Sequence, residues 1–235
     1  ESMERFVFIT GITRLSQVSI FSKLNNLIDI SRSDRFSAAV GYTKKELLDN
    51  FEEHIYRASE KNACTKDEMI DKLAIWYDGF KFSFNGENVY NPVSIGRFFS
   101  DNYEFRNYWY ATATPVILVN FAKKQKISVE SINDAVVTDI SFNSFDIMSL
   151  SESDVDLQTI TQLLLQTGYL TIGDRDEQNN ILAYRLKYPN KEVQLSFETD
   201  LATVYIGKSI SEINTFASAL QKAAYAAIPN TTEKR

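Results

Sequence analysis

The sequence is nearly devoid of the residues on which metal and nucleophilic chemistry most often rest. Cysteine and histidine occur once each, at Cys64 and His54. A lone cysteine forms no internal disulfide, and one Cys with one His supplies no zinc site built from several such ligands. A Ser–His–Asp triad could draw only on His54, which sits in Phe51-Glu52-Glu53-His54-Ile55-Tyr56, an ordinary amphipathic helical pattern. Glycine and proline are sparse, at 8 and 4 residues, which argues against a disordered or loop-rich chain. No run of about 18 apolar residues occurs, so nothing reads as a membrane span, and no signal peptide is visible. A cytoplasmic protein is the expectation. Positive charge is in the minority: 25 Lys and Arg stand against 31 Asp and Glu, for a net charge of −6. That balance does not favour nonspecific binding to DNA or anionic membranes, although it leaves room for a local basic patch.

Aromatic residues are plentiful. Sixteen Phe and twelve Tyr within 235 residues provide material for cores and interfaces, and the length allows one large domain or two to three small ones. The apolar run Phe6-Val7-Phe8-Ile9 predicts a strand buried on both faces of a parallel sheet, with Thr10 as its last residue. The next hundred residues hold no comparable neighbours for it. The expectation is therefore a sheet completed by upstream sequence or by another chain.

Beyond residue 42 the pattern turns helical. Thr43-Lys44-Lys45-Glu46 and Thr65-Lys66-Asp67-Glu68 both have the spacing of a capping box, each leading into an apolar stripe. Phe80-Lys81-Phe82 and Val89-Tyr90 around Asn85-Gly86 read as a short hairpin. Asn91-Pro92 predicts a helix start, with Asn91 as N-cap and Pro92 in the first turn, and Thr114-Pro115 predicts another. From Thr159 the reading is helix, strand at Tyr169–Ile172, polar hairpin loop over 173–180, strand at Ile181–Leu186, then a helix from Pro189-Asn190. That order is the tail of a winged helix. A further amphipathic helix is expected over 211–228.

Several motifs together resemble one family, the AAA-ATPase-like proteins of bacteria, relatives of the STAND and other P-loop NTPases. They are Phe8-Ile9-Thr10-Gly11 with Phe21-Ser22-x-Leu24-Asn25-Asn26-Leu27, then Trp76-Tyr77-Asp78-Gly79-Phe80, and Val89-Tyr90-Asn91-Pro92-x-Ser94. Further along come Phe105-Arg106-Asn107-Tyr108-Trp109, Leu165-Gln166-Thr167-Gly168-Tyr169-Leu170-Thr171-Ile172, and Tyr188-Pro189-Asn190-x-Glu192-Val193. The resemblance implies the α/β edge of a P-loop domain over 1–42, a mainly α-helical lid over 43–126 and a winged-helix (α+β) domain over 127–207. Residues 208–235 would be a helix and linker, and the whole would be predominantly helical. It also implies that the phosphate-binding loop and acidic strand lie upstream, and that a PD-(D/E)XK nuclease-like domain lies downstream. DNA would be a possible partner through that domain, and no membrane is expected. ATP or ADP with Mg²⁺ would serve the full-length protein, with no tight nucleotide binding by this stretch alone.

The resemblance assigns roles residue by residue. Thr10 would hold the attacking water or a γ-phosphate oxygen, and the Arg14 guanidinium would stabilise transferred charge. A turn threonine and a surface arginine are the competing reading. Tyr90-Asn91-Pro92 resembles the lid motif whose proline packs on adenine with the helix N-terminus facing the nucleotide; the competing reading is a capped helix without a ligand. Asn190 stands where related ATPases place a histidine touching the β-phosphate. Asparagine keeps a hydrogen-bonding side chain and loses any positive charge, and structural capping is its alternative role. Gly207-Lys208-Ser209 imitates the end of a phosphate loop, but Ala202 occupies the position of the first required glycine. A helix-terminating glycine with a solvated lysine is the expected reading there. The aromatic cluster Trp76, Tyr77, Phe80, Phe82, Phe105, Tyr108, Trp109 and Tyr110 reads as packing between subdomains rather than a base-stacking platform. Asp174, Asp176 and Glu177 read as solvated wing residues, and a wing with one Arg against three acids disfavours DNA contact. A winged-helix module binding a partner domain or nucleic acid is the alternative function.

Overall fold

The computed structural model describes residues 8–11, 28–109, 120, 135–137, 156–178, 181–208, 211–213, 215 and 218. Among them are α1 (Lys44–Lys61), α2 (Lys66–Tyr77), α3 (Pro92–Ser100), β1 (Val136–Val137), α4 (Leu157–Gln166), β2 (Thr171–Gln178), β3 (Ile181–Lys187) and α5 (Lys191–Ile206).

The helices begin where local chemistry places them. Thr43 Oγ1 accepts from the Glu46 amide while the Glu46 carboxylate accepts from the Thr43 amide, and Thr65 and Glu68 repeat the exchange at α2. Each box satisfies two groups that an uncapped helix end leaves open. Asn91 Oδ1 accepts from Val93 N at 2.9 Å and Ser94 N at 3.3 Å, with Pro92 beside it. Gly207 ends α5 at φ +69°, where no side chain resists the left-handed turn.

Two apolar cores form. The first is helical: Leu47, Ile55, Met69, Leu73, Tyr77, Tyr90, Ile95 and Phe98 are fully buried between α1, α2 and α3. Phe105 closes it, its ring 4.7 Å from Phe98 and 6.0 Å from Tyr77. The second gathers Ile160, Leu163 and Leu164 from α4, Ile172 and Leu186 from the sheet, and Val193, Phe197 and Leu201 from α5. Phe80 and Val89, joined by one antiparallel bridge, belong to this second core. The boundary between the cores therefore runs through the expected lid, because Phe80 and Val89 are buried in the core of α4, α5 and the sheet.

The sheet is antiparallel in the order β1-β3-β2. β2 and β3 stay paired from Thr171↔Lys187 to Gln178↔Ile181, with an irregularity between Ile172 and Arg175. The polar run expected as a loop over 173–180 is thus mostly strand, leaving only residues 179 and 180 between the partners. Ladder hydrogen bonds do not depend on apolar side chains, and a two-stranded extension can be polar on both faces.

Of the strand expected over Phe6–Thr10, only residues 8–10 are described. Residues 8–10 have no strand assignment, and Phe8 and Ile9 are 56% and 43% exposed. An apolar strand is held only by neighbouring strands, and none lies beside these residues among those described. Residues 6 and 7 lie outside the described residues, as do Arg14, the 21–27 motif, the helix expected at 114–115 and Tyr110. The helix expected over 211–228 is described only at 211–213, 215 and 218, which are helical.

Candidate functional site at the junction of the two cores

The end of α2, the start of α3, the 105–109 segment, the end of α4 and the start of α5 converge between the two cores. Each of the five family-like motifs between residues 76 and 193 contributes to this junction.

Asn190 is its bolt. The Oδ1 atom accepts from Val193 N at 3.0 Å, capping α5, while Nδ2 donates to the Asp78 carbonyl at 2.8 Å. Beside it, Gly79 has φ +98°, and a Cβ there would lie 1.9 Å from the Pro189 carbonyl oxygen. Only glycine allows both that backbone angle and that approach. The Tyr77 carbonyl accepts from Asn91 N at 3.1 Å, tying the α2 end to the α3 cap. On the other side, Thr171 Oγ1 accepts from Lys81 N at 2.8 Å. Trp109 packs edge-on against Tyr169 at 4.9 Å and lies 6.5 Å from Phe80.

Glu192 is the central charge-bearing group. It lies in the first turn of α5 and is completely buried. The Ser94 hydroxyl donates to Oε2 at 2.7 Å and the Trp109 amide to Oε1 at 2.8 Å. Burial raises its carboxyl from the ordinary range to about 7, against the lowering effect of bonds from Trp109, Ser94 and the Tyr108 backbone. Burial also raises the Tyr77 hydroxyl, which exchanges hydrogen bonds with the Arg106 backbone; the nearby Glu192 adds to the rise. Sequence reasoning quoted Glu192 and Ser94 within motifs but gave them no role. The available signal was periodicity: Glu192 shares a helical stripe with Ser196, one turn on, next to Val193 and Phe197 on the buried face.

The expected nucleotide contacts are placed as follows. Tyr90 is fully buried in the helical core. Its hydroxyl is shifted up by burial and then by Asp78 and Asp71, and neither it nor Asp78 Oδ1 has a hydrogen-bond partner among the described residues. Asn91 uses its side-chain oxygen on α3, and both polar ends of Asn190 are engaged. Asn190 therefore has both side-chain ends engaged within the protein, while Tyr90 lies enclosed in the helical core. Pro92 is half-buried at the rim beside Val93, which is 46% exposed. Thr10 is exposed and outside any strand. Gly207 is a helix terminus and Lys208 is exposed, as the sequence led us to expect. Of the aromatic cluster, Tyr77 and Phe80 are buried in the cores, with Trp76, Phe82, Phe105, Tyr108 and Trp109 packed against them. Among the described residues, no three His, Cys, Asp or Glu are grouped to hold a metal, and no helix is long and apolar enough to cross a membrane.

No family model matches the chain, and no solved structure matches it. The chain is similar to an uncharacterized protein in the vnfD 5′ region of Azotobacter chroococcum mcd 1, with 34% identity over 207 residues. The match covers 88% of this chain and 36% of that protein, so the chain spans little more than a third of its relative's length.

Proposed function

We propose that this chain is the lid and winged-helix portion of an AAA-type ATPase-like protein, a part that responds to nucleotide and hydrolyses none by itself. The observation that carries this reading is the convergence of the family-like motifs of residues 76–193 on one junction between two cores. Motifs scattered over more than a hundred residues share a site when they serve one mechanical or chemical task. The sheet order supports the same reading, since a first strand paired to the third, with a helix leading into the hairpin, is a winged-helix arrangement. The sequence contains no Gly-x-x-x-x-Gly-Lys-Ser/Thr, and phosphoryl transfer needs such a cradle with Lys and Mg²⁺. Thr10 and Arg14 are the proposed γ-phosphate contacts of the full-length protein, and Pro92 the proposed adenine contact. The purified 235-residue chain is expected to show no Mg²⁺-dependent ATP turnover above background. Turnover by it would overturn the reading. In the full-length protein, Arg14→Ala should lower turnover far more than unfolding stability, and unchanged kinetics would remove Arg14 from the site.

One observation favours a second reading, a winged-helix binding module. Lys81 Nζ and the Arg175 guanidinium lie over the Phe84 ring at 5.1 and 5.9 Å, with Tyr184 edge-on to it at 5.8 Å. Extension of β2 through the polar run brings Arg175, the one basic residue of 173–180, beside Lys81 at this aromatic position. Salt-dependent anisotropy of a labelled oligonucleotide, lost on Lys81→Ala with Arg175→Ala, would support this reading; no binding at low salt would exclude nucleic acid.

A further inference from the structure

Glu192 joins three segments that are distant in sequence: its own helix α5, Ser94 on α3 and the Tyr108–Trp109 backbone. These belong to both sides of the junction, since Ser94 precedes Ile95 and Phe98 of the helical core, while Val193 and Phe197 lie in the winged core. The groups facing the carboxyl are hydroxyls and backbone amides. From α2 comes the Tyr77 hydroxyl, from α3 the Ser94 hydroxyl, and from the 105–109 segment the Tyr108 and Trp109 amides. Two cations on the same segments are engaged elsewhere. Lys191 lies over the Trp76 ring at 4.8 Å, and Arg106 is paired with Glu104 and Asp101. Among the described residues, no cation contributes to the balance that sets the Glu192 charge.

We propose that the Glu192 carboxyl is a protonation-controlled latch, closed when neutral and loosened when ionised, that sets how tightly the lid-like helices hold the winged half. The neutral acid places no charge in the buried site. Its O–H can donate to Ser94 Oγ while its carbonyl oxygen accepts from Trp109 N–H. Loss of the proton leaves a buried anion with hydrogen bonds but no counter-charge among the described residues, and separation of α5 from α3 and the 108–109 backbone admits water to it. The group titrates near neutrality, so modest changes of pH, or of any charge brought to the junction, alter the latch. The inference concerns the junction itself and goes beyond the nucleotide reading, standing whether or not the parent protein binds ATP.

Trp109 is a built-in reporter, because its amide donates to the carboxyl and its ring packs on Phe80 and Tyr169 of the second core. In the 235-residue chain carrying Trp76→Phe, acrylamide quenching of Trp109 should rise sigmoidally between pH 5.5 and 8.5, with a midpoint near 7. Glu192→Gln in that background should give a flat profile at the low-quenching level. Ser94→Ala keeps the carboxyl and removes a donor to its charged form, so it should move the midpoint upward. This arm carries the test even if the glutamine variant does not fold. His54→Gln should leave the transition in place, because His54 stands on α1 against Phe99. A pH-independent profile in the Trp76→Phe chain would overturn the proposal. So would a transition that survives Glu192→Gln, one that Ser94→Ala leaves unmoved, or one that disappears with His54→Gln.

Discussion

Asn190→Ala removes two hydrogen bonds at once, and each has a separate consequence. Loss of the acceptor uncaps α5 at Val193 N, which costs about 1 kcal/mol in comparable helices. Loss of the donor strips the Asp78 carbonyl of its 2.8 Å partner in a part-buried place, at about 1–3 kcal/mol. The expected total is about 2–4 kcal/mol, or roughly 10 °C in midpoint for a chain of this size. Asn190→Ser separates the terms, because serine caps a helix but cannot reach Asp78, and it should recover only the smaller share. Urea unfolding of the 235-residue chain measures both, with an unchanged m-value showing that the denatured state is not the source. If Asn190→Ala lies within about 0.5 kcal/mol of the parent, the bolt is energetically idle, and a ligand-contacting role for Asn190 returns.

Two further outcomes follow from the same junction. Gly79→Ala must either abandon φ +98° or push Pro189 away, and should cost more than about 2 kcal/mol in urea unfolding; a neutral variant would show that the α2 end and α5 start do not touch. The folded Glu192 carboxyl titrates above its unfolded value of 4.5, so its stabilising contribution is full below about 4.5 and is lost as pH rises through about 7. Unfolding free energy should therefore fall by about 3 kcal/mol from this group between pH 4.5 and 8, while Glu192→Gln removes that component; parallel pH profiles for the two proteins would refute the assignment.

The helix starts were legible because each is decided within a few residues. Thr43 and Glu46, Thr65 and Glu68, and Asn91 with Pro92 satisfy their own backbone without help from the rest of the chain. Asn190 was legible by half: its cap on Val193 is local, but its bond to Asp78 spans 112 positions. The extent of β2 was missed because strand pairing is a relation between two segments, and the polar residues 173–178 carry no apolar alternation to announce it. At Phe6–Thr10 hydrophobicity states a demand for neighbours and does not supply them, and residues 8–10 are exposed without a strand partner among the described residues.

What the sequence determined by itself was the set of short-range bargains between a side chain and the backbone beside it: caps, breaks and the apolar stripes of α1 to α5. Only the tertiary structure decided that Glu192 would lose all contact with water, that Gly79 would meet Pro189, and that Phe80 and Val89 would join the core of α4, α5 and the sheet. Burial and close approach depend on segments some 80 to 110 residues apart arriving at one place. A carboxylate's chemistry is set by what surrounds it, and that surrounding does not exist until the chain has folded.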